Sequence, residues 1–261
     1  MTQEKSRFTS DRRTPREASW VGESDWSVGT GENVAVDGGD LSPRLPQTTS
    51  GKALNGLVYD FEAGTVENWS YTTTHHGSSN WGVSSVAAPD GGEHAIFVSQ
   101  NSGGGNSAEI YSGPVSYNWA QPYEFEFLVK SDGFKPTAGW LGCSVGWRGR
   151  RHEADTIGLS LHNTDSSGNL NPFSFTGNGA SNSSVHWVDW KPDLWYWVRG
   201  ICDEADGTAR AKVWADGSAE PSSYQIQADI TTGVSDGDVH VRVNGVDSVN
   251  LDSTFCHLRF G

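Results

Sequence analysis

From residue 56 to Gly261 no apolar repeat of helical period lasts beyond a turn or two, and this constrains the chain more than any other feature. What replaces it is alternation. Residues 123–129 put Tyr123, Phe125 and Phe127 on one side of an extended segment and Glu124 and Glu126 on the other, the period-two pattern of a strand with one buried face. Further extended segments are predicted over 95–99, 108–111, 140–147, 156–163, 195–202, 209–215, 224–229, 239–244 and 254–260. Turn pairs such as Asp90-Gly91, Asp132-Gly133, Asp206-Gly207 and Asp216-Gly217 interrupt them. Roughly a dozen strands at this spacing predict an all-β fold, an antiparallel two-sheet jelly-roll sandwich.

The sandwich is not expected to fill the chain. Residues 1–16 hold five basic side chains against two acidic ones, and residues 17–40 hold six acids and no base. A Pro- and Thr-rich stretch follows from Ser42 to Lys52. The expected division is therefore an extended N-terminal docking arm over 1–50, with a small hairpin near 24–41, and a jelly-roll domain over 51–261. A short echo supports the hairpin: Trp26, Gly29, Thr30, Glu32 and Asn33 repeat at Phe61, Gly64, Thr65, Glu67 and Asn68.

Charge narrows the partners. The chain carries 18 basic against 32 acidic residues, a formal charge of −14. Residues 51–261 account for most of it, with 12 basic and 24 acidic side chains. Such a field repels phosphate backbones, so no nucleic-acid partner is expected. No run of 18 apolar residues is present, so no membrane insertion is expected either. The basic residues are 12 Arg and only 6 Lys; an acidic, Lys-poor surface suits high salt, where charge repulsion is screened to a few ångströms. Three cysteines, Cys143, Cys202 and Cys256, are too few for a disulfide scaffold. They read as buried thiols, with Cys143–Cys202 the pairing to consider.

Several segments then resemble a known family. Tyr59, Asp60, Phe61, Glu62, Gly64 and Thr65 through Trp69 resemble the opening strand of concanavalin A-like and laminin-G-like jelly rolls and of carbohydrate-binding modules. Trp195, Tyr196, Trp197 and Arg199, followed by Lys212, Val213, Trp214, Gly217, Glu220 and Pro221, are similar to a strand pair of that superfamily, and 249–260 to its closing strand. The resemblance covers about residues 56–261 and implies the fold more than the activity, because lectins, glycanases and structural domains share it. It also implies a structural Ca²⁺ held between first and last strands, with Glu62 and Asp252 as contributors.

Domains of this kind, behind a short non-catalytic arm, occur on tailed-virus particles. Arg12-Arg13 resembles a twin-arginine signal, but residues 14–31 supply no apolar segment, so no export signal is expected. An extracellular-type fold, the lack of an expected export signal and an N-terminal docking arm together point to a virion-surface location, and with the acidic, Lys-poor surface to a tailed virus of a halophilic archaeon. The expected partners are other virion proteins through the arm, sister subunits in a homo-oligomer, and a host surface glycan.

Chemistry is sparse. Retaining β-glucanases of this fold place an acid and a nucleophile on one strand as E-x-D-x-x-E; Glu124 and Glu126 approach that pattern without its later acid. A glycan-active enzyme stays the alternative to a non-enzymatic role. His75 and His76 lie in a polar loop with no third ligand nearby in sequence. Trp147, Arg148, Arg150 and His152 form a basic cluster beside an aromatic plane, with Trp187 and Trp190 in a second one. Guanidinium forks and indole faces suit sugar hydroxyls, while the same residue types anchor cores and subunit interfaces; both readings stand at this level.

Overall fold

The computed structural model describes residues 34–37, 40–43, 57–65, 69–72, 79–100, 107–115, 117–132, 142–149, 153–162, 171–234, 237–244 and 251–261. The chain divides into two compact units, Met1–Leu54 and Asn55–Gly261. In the first, β1 (Val34–Asp37) pairs antiparallel with β2 (Asp40–Pro43), and the two residues between them in sequence are Gly38 and Gly39, the composition a two-residue hairpin turn favours. The extended arm expected over the rest of residues 1–50 lies outside the described residues.

The second unit is all-β; no described residue is helical. Its strands are β3 (Leu57–Tyr59), β4 (Ser70–Thr72), β5 (Ser79–Ser85), β6 (His94–Gln100), β7 (Ser107–Val115), β8 (Tyr123–Ser131), β9 (Gly142–Trp147), β10 (Ile157–His162) and β11 (Asn171–Thr176). They continue with β12 (Ala180–Ser181), β13 (Val185–Val188), β14 (Tyr196–Asp203), β15 (Thr208–Ala215), β16 (Ile226–Ile230), β17 (Gly237–Asn244) and β18 (Leu251–Phe260). A seven-stranded sheet runs β13-β11-β10-β9-β17-β7-β4. A nine-stranded sheet runs β12-β16-β15-β14-β8-β18-β6-β5, with β3 added to β18. All pairings are antiparallel, for example β14 with β15 and with β8. This is the expected two-sheet jelly-roll sandwich.

Alternation explains which side of each strand is dry. Tyr123, Phe125, Phe127 and Val129 of β8 join Val198 and Val213 of β14 and β15, and Val145, Val241 and Leu159 of the facing sheet, in one core. Trp147 is fully buried among Phe125 and Phe260, with ring centroids 4.7 and 5.6 Å away. Its Nε1–H donates to Tyr123 Oη at 2.7 Å, so the one polar atom of the indole is satisfied inside the core. Strands β4, β5 and β12 lack a sustained alternating apolar pattern and are rich in Ser, and their place in the sheets comes from pairing with stronger neighbours rather than from their own pattern.

The three cysteines are free and buried, so the Cys143–Cys202 pairing is corrected: the two sit on β9 and β14, in opposite sheets, as separate core thiols. Burial pushes each of these two thiols up to about 12, which makes them unreactive at neutral pH.

Candidate functional site

Three of the residues singled out as glycan contacts are inside the protein, and for them the surface reading is corrected. Trp147 is part of the core described above. Arg148, at the end of β9 with a left-handed φ of 69°, is 2% exposed. Its Nη1 donates to Glu204 Oε1 at 2.8 Å and its Nη2 to the Thr231 carbonyl, while Glu204 Oε2 accepts the Gly233 N–H at 3.0 Å. The guanidinium thus ties three chain segments together, and a charge withdrawn this far from water is held by its partners rather than offered to a ligand. Trp190 is buried edge-on against Tyr196, ring centroids 4.7 Å apart, beside a Tyr196 hydroxyl that accepts the Lys191 N–H at 2.7 Å. Arg150 and His152 lie outside the described residues, as do His75 and His76.

Trp187 is different. It is 53% exposed on β13, and Val185, two residues earlier on the same face, is 45% exposed. β13 is the edge of the seven-stranded sheet. The intervening His186 turns the other way, its Nε2 at 3.2 Å from Gln225 Nε2. Val185 begins a row that crosses the outer face of the sheet in register: Ser174, Ser160, Ser144, Arg242 and Glu109. The small hydroxyl side chains of this row supply donors and acceptors. Exposure falls along the row, from Val185 at the rim to 6% at Ser144, so the open part is formed by β13, β11 and β10.

The outer face of the nine-stranded sheet is built otherwise. Trp195, Trp197, Leu128, Ala95 and Cys256 form a second apolar cluster there, with Val86, Ala88 and Trp214 packed against it. Trp197 and Trp214 are stacked, 6.2 Å apart and 10° from parallel. Trp195 and Trp197 are therefore buried without lying between the sheets, with Trp214 partly covering them.

Next to them runs a chain of alternating charges. Glu126 Oε2 accepts from Arg199 Nε at 2.6 Å, and Glu126 Oε1 lies 2.8 Å from His257 Nε2. His257 Nδ1 lies 2.8 Å from Asp90 Oδ2. At the other end Arg199 Nη1 donates to both oxygens of Glu220, which also binds Lys212 Nζ at 2.8 Å. His257 reaches this face through a β-bulge: the register of β18 against β8 shifts between Cys256 and Arg259, and His257 has φ 57°. Sequence pattern did not single out His257, Asp90, Arg199, Lys212 or Glu220 as one group. Arg199 and Lys212 are opposite each other on β14 and β15, and lone bases at outward positions between tryptophans were the available signal.

Glu126, one half of the enzyme alternative, is buried here and not on an exposed face as its alternation suggested. Burial alone would raise its pKa, but the His257 hydrogen bond and the charges of Arg199 and His257 outweigh that and hold it below the usual carboxylate range. A general acid for glycoside cleavage needs the opposite, a carboxyl kept protonated near neutral pH.

The calcium pair is corrected as well. Both oxygens of Glu62 accept the Glu93 N–H, at 3.0 and 3.1 Å, and one also accepts that of His94 at 3.2 Å. Asp252 pairs with Ser99, at the far end of β6. Five residues of strand separate the two places, about 16 Å at roughly 3.3 Å per residue, too far for one ion. Among the described residues no group of three or more His, Cys, Asp and Glu side chains is placed to hold a metal, and no helix is long and apolar enough to cross a membrane.

Compared by sequence, the chain matches no protein-family model and no curated protein. Compared by structure, it is similar to a sialidase at TM-score 0.50 and 9% identity, over 79% of this chain and 18% of that one. The chain thus spans under a fifth of the sialidase's length. Lectin II from Ulex europaeus aligns at TM-score 0.49 and 11% identity, over 78% of this chain and 98% of the lectin. A legume lectin-like domain from Entamoeba histolytica aligns at 0.46 and 12%, over 75% and 90%. At 9% identity the likeness to the sialidase, at TM-score 0.50, speaks to a shared fold and to nothing finer.

Proposed function

We propose that this protein is a non-catalytic, glycan-binding jelly roll, and that Trp187 is its sugar platform. The observation that carries the reading is the half-exposed indole of Trp187 at the rim of a floor of Ser174 and Ser160. A pyranose ring has an apolar face that stacks on an indole and a hydroxyl edge that needs nearby polar groups; this corner offers both. Glu126, held ionised and fully engaged by Arg199 and His257, supports the non-catalytic half of the reading.

The finer reading is of a virion protein, on a virus of a salt-loving host, that displays this domain outward from a docking segment in residues 1–50. It is supported by the charge pattern alone, a basic tip ahead of a strongly acidic domain.

Binding is tested on a glycan array and then by calorimetry on the best hit. Trp187→Ala is expected to cost about 2 kcal/mol of affinity, roughly thirtyfold, with the melting temperature unchanged because the indole is exposed. A protein that binds no glycan, or binds equally well without Trp187, ends the proposal. Display is tested by particle incorporation of the chain with and without residues 1–50.

A further inference from the structure

The charge chain on the nine-stranded sheet contains one imidazole, His257, and it is the member that holds a loop. Residues 86–93 connect β5 to β6 and are closed on themselves by Val86 N–H to Glu93 O, Ala88 N–H to Gly92 O and Gly91 N–H to Ala88 O. Val86 and Ala88 pack on the Trp195–Trp197–Cys256 cluster. At its root the loop is held by Glu62, which accepts the Glu93 and His94 amides. At its tip it is held by Asp90 on His257.

Both ring nitrogens of His257 face carboxylate oxygens at 2.8 Å, Asp90 on one side and Glu126 on the other. A neutral imidazole has a single N–H and can serve only one of them. The geometry is therefore that of an imidazolium. It also balances charge: Asp90, Glu126 and Glu220 against His257, Arg199 and Lys212, three of each sign. Loss of the His257 proton leaves a buried excess of one negative charge and a carboxylate facing a lone pair, and the costly arrangement is relieved most readily by the partner on a loop, Asp90, since Glu126 is fixed in the middle of β8.

We propose that His257 is a proton-operated latch: charged, it pins the 86–93 loop over the Trp195–Trp197 face; neutral, it releases the loop and uncovers that face. This inference does not depend on the role of Trp187. The groups around the latch are Glu126 and Lys130 of β8, Arg199 of β14, Lys212 of β15, Glu220 of the 216–225 segment, Arg259 and Cys256 of β18, Glu62 before β4 and His94 of β6. Burial works to lower the His257 pKa, but the hydrogen bonds to Asp90 and Glu126 outweigh it and raise it above the ordinary value. Asp90, for which burial works upward, is held below its ordinary value by the same His257 bond and charge. The sign follows from linkage: a raised histidine pKa gives stabilisation fully present below the unfolded value of about 6.5 and lost as pH rises through the folded value. The latch is closed between the lowered pKa of Asp90 and the raised pKa of His257, and it opens as pH rises through the latter.

The test is hydrogen exchange of the 86–93 amides in the full chain, corrected for intrinsic rate, at about pH 6 and about pH 9, together with alkylation of Cys256 relative to Cys143 and Cys202 at the same pH. Cys143 and Cys202 lie between the sheets and report global opening, so the ratio isolates the loop. Expected for the wild type is a protection at least about tenfold higher at the lower pH, with a matching rise in relative Cys256 labelling at the higher one. Asp90→Asn, a change in a loop that leaves the sheet intact, is expected to give the open behaviour at both pH values, and His257→Gln the same. Equal protection at both pH values in the wild type, or a full pH contrast retained in Asp90→Asn, overturns the proposal. Should His257→Gln not fold, the Asp90→Asn arm decides alone.

Discussion

At the scale of single residues, burial separates tryptophans that look alike in sequence. Trp147 and Trp187 both sit beside basic or imidazole side chains, yet one has its indole closed in by Phe125, Phe260 and the Tyr123 hydroxyl and the other is half in solvent. Trp147→Ala is therefore expected to destabilise the fold by about 3–5 kcal/mol through lost burial and a cavity, read as a shift of the urea midpoint. A loss below about 1 kcal/mol would show the indole is not closed in. Arg148 carries the same lesson in charge: paired with Glu204 and aimed at the Thr231 carbonyl, it works as a tie between segments. Residue type and neighbours along the chain do not distinguish these cases, because exposure depends on what the fold brings from elsewhere.

At the scale of elements, the strands that announce themselves are those whose inward positions alternate with polar or aromatic outward ones, β8, β14 and β15 above all, even though much of their outer face is covered as well. β17 and β9 show how two strands adjust to each other. His240 of β17 is opposite Gly146 of β9, its Nδ1 3.1 Å from the Gly149 carbonyl, and a Cβ on residue 146 would overlap the imidazole. Gly146→Ala should force the ring out of place and cost about 1–3 kcal/mol, detectable by denaturant unfolding; an unchanged midpoint would mean the ring moves freely. The bulge at His257 is the element-level feature that no pattern foretold. Alternation through Cys256, His257 and Leu258 gives no hint that two consecutive side chains share the outer face, since a bulge adds one residue to a strand without altering its composition. The latch exists only because of that extra residue.

At the scale of the whole molecule, the chain separates into Met1–Leu54 and Asn55–Gly261. The second unit has its own core, drawn from both sheets. Removing residues 1–50 is expected to leave it folded, with an unchanged β-sheet circular dichroism spectrum and a cooperative melt; a broad, non-cooperative melt would show that the first unit completes the core. What the amino-acid sequence determined by itself was the class: period-two alternation broken by Gly and Asp turns admits sheets and excludes helices, because side-chain period is a local property of the backbone. It also settled the acidic field and the absence of a familiar catalytic motif. What only the tertiary structure decided was the membership of each polar and aromatic side chain. Trp187 was left half exposed on an edge strand, Trp147 and Arg148 became supports, Glu62 and Asp252 were set at opposite ends of β6, and Glu126, His257 and Asp90 met from three distant segments. Strand order and register set those meetings, and they are fixed by the joint burial of two sheets rather than by any residue's neighbours in the chain.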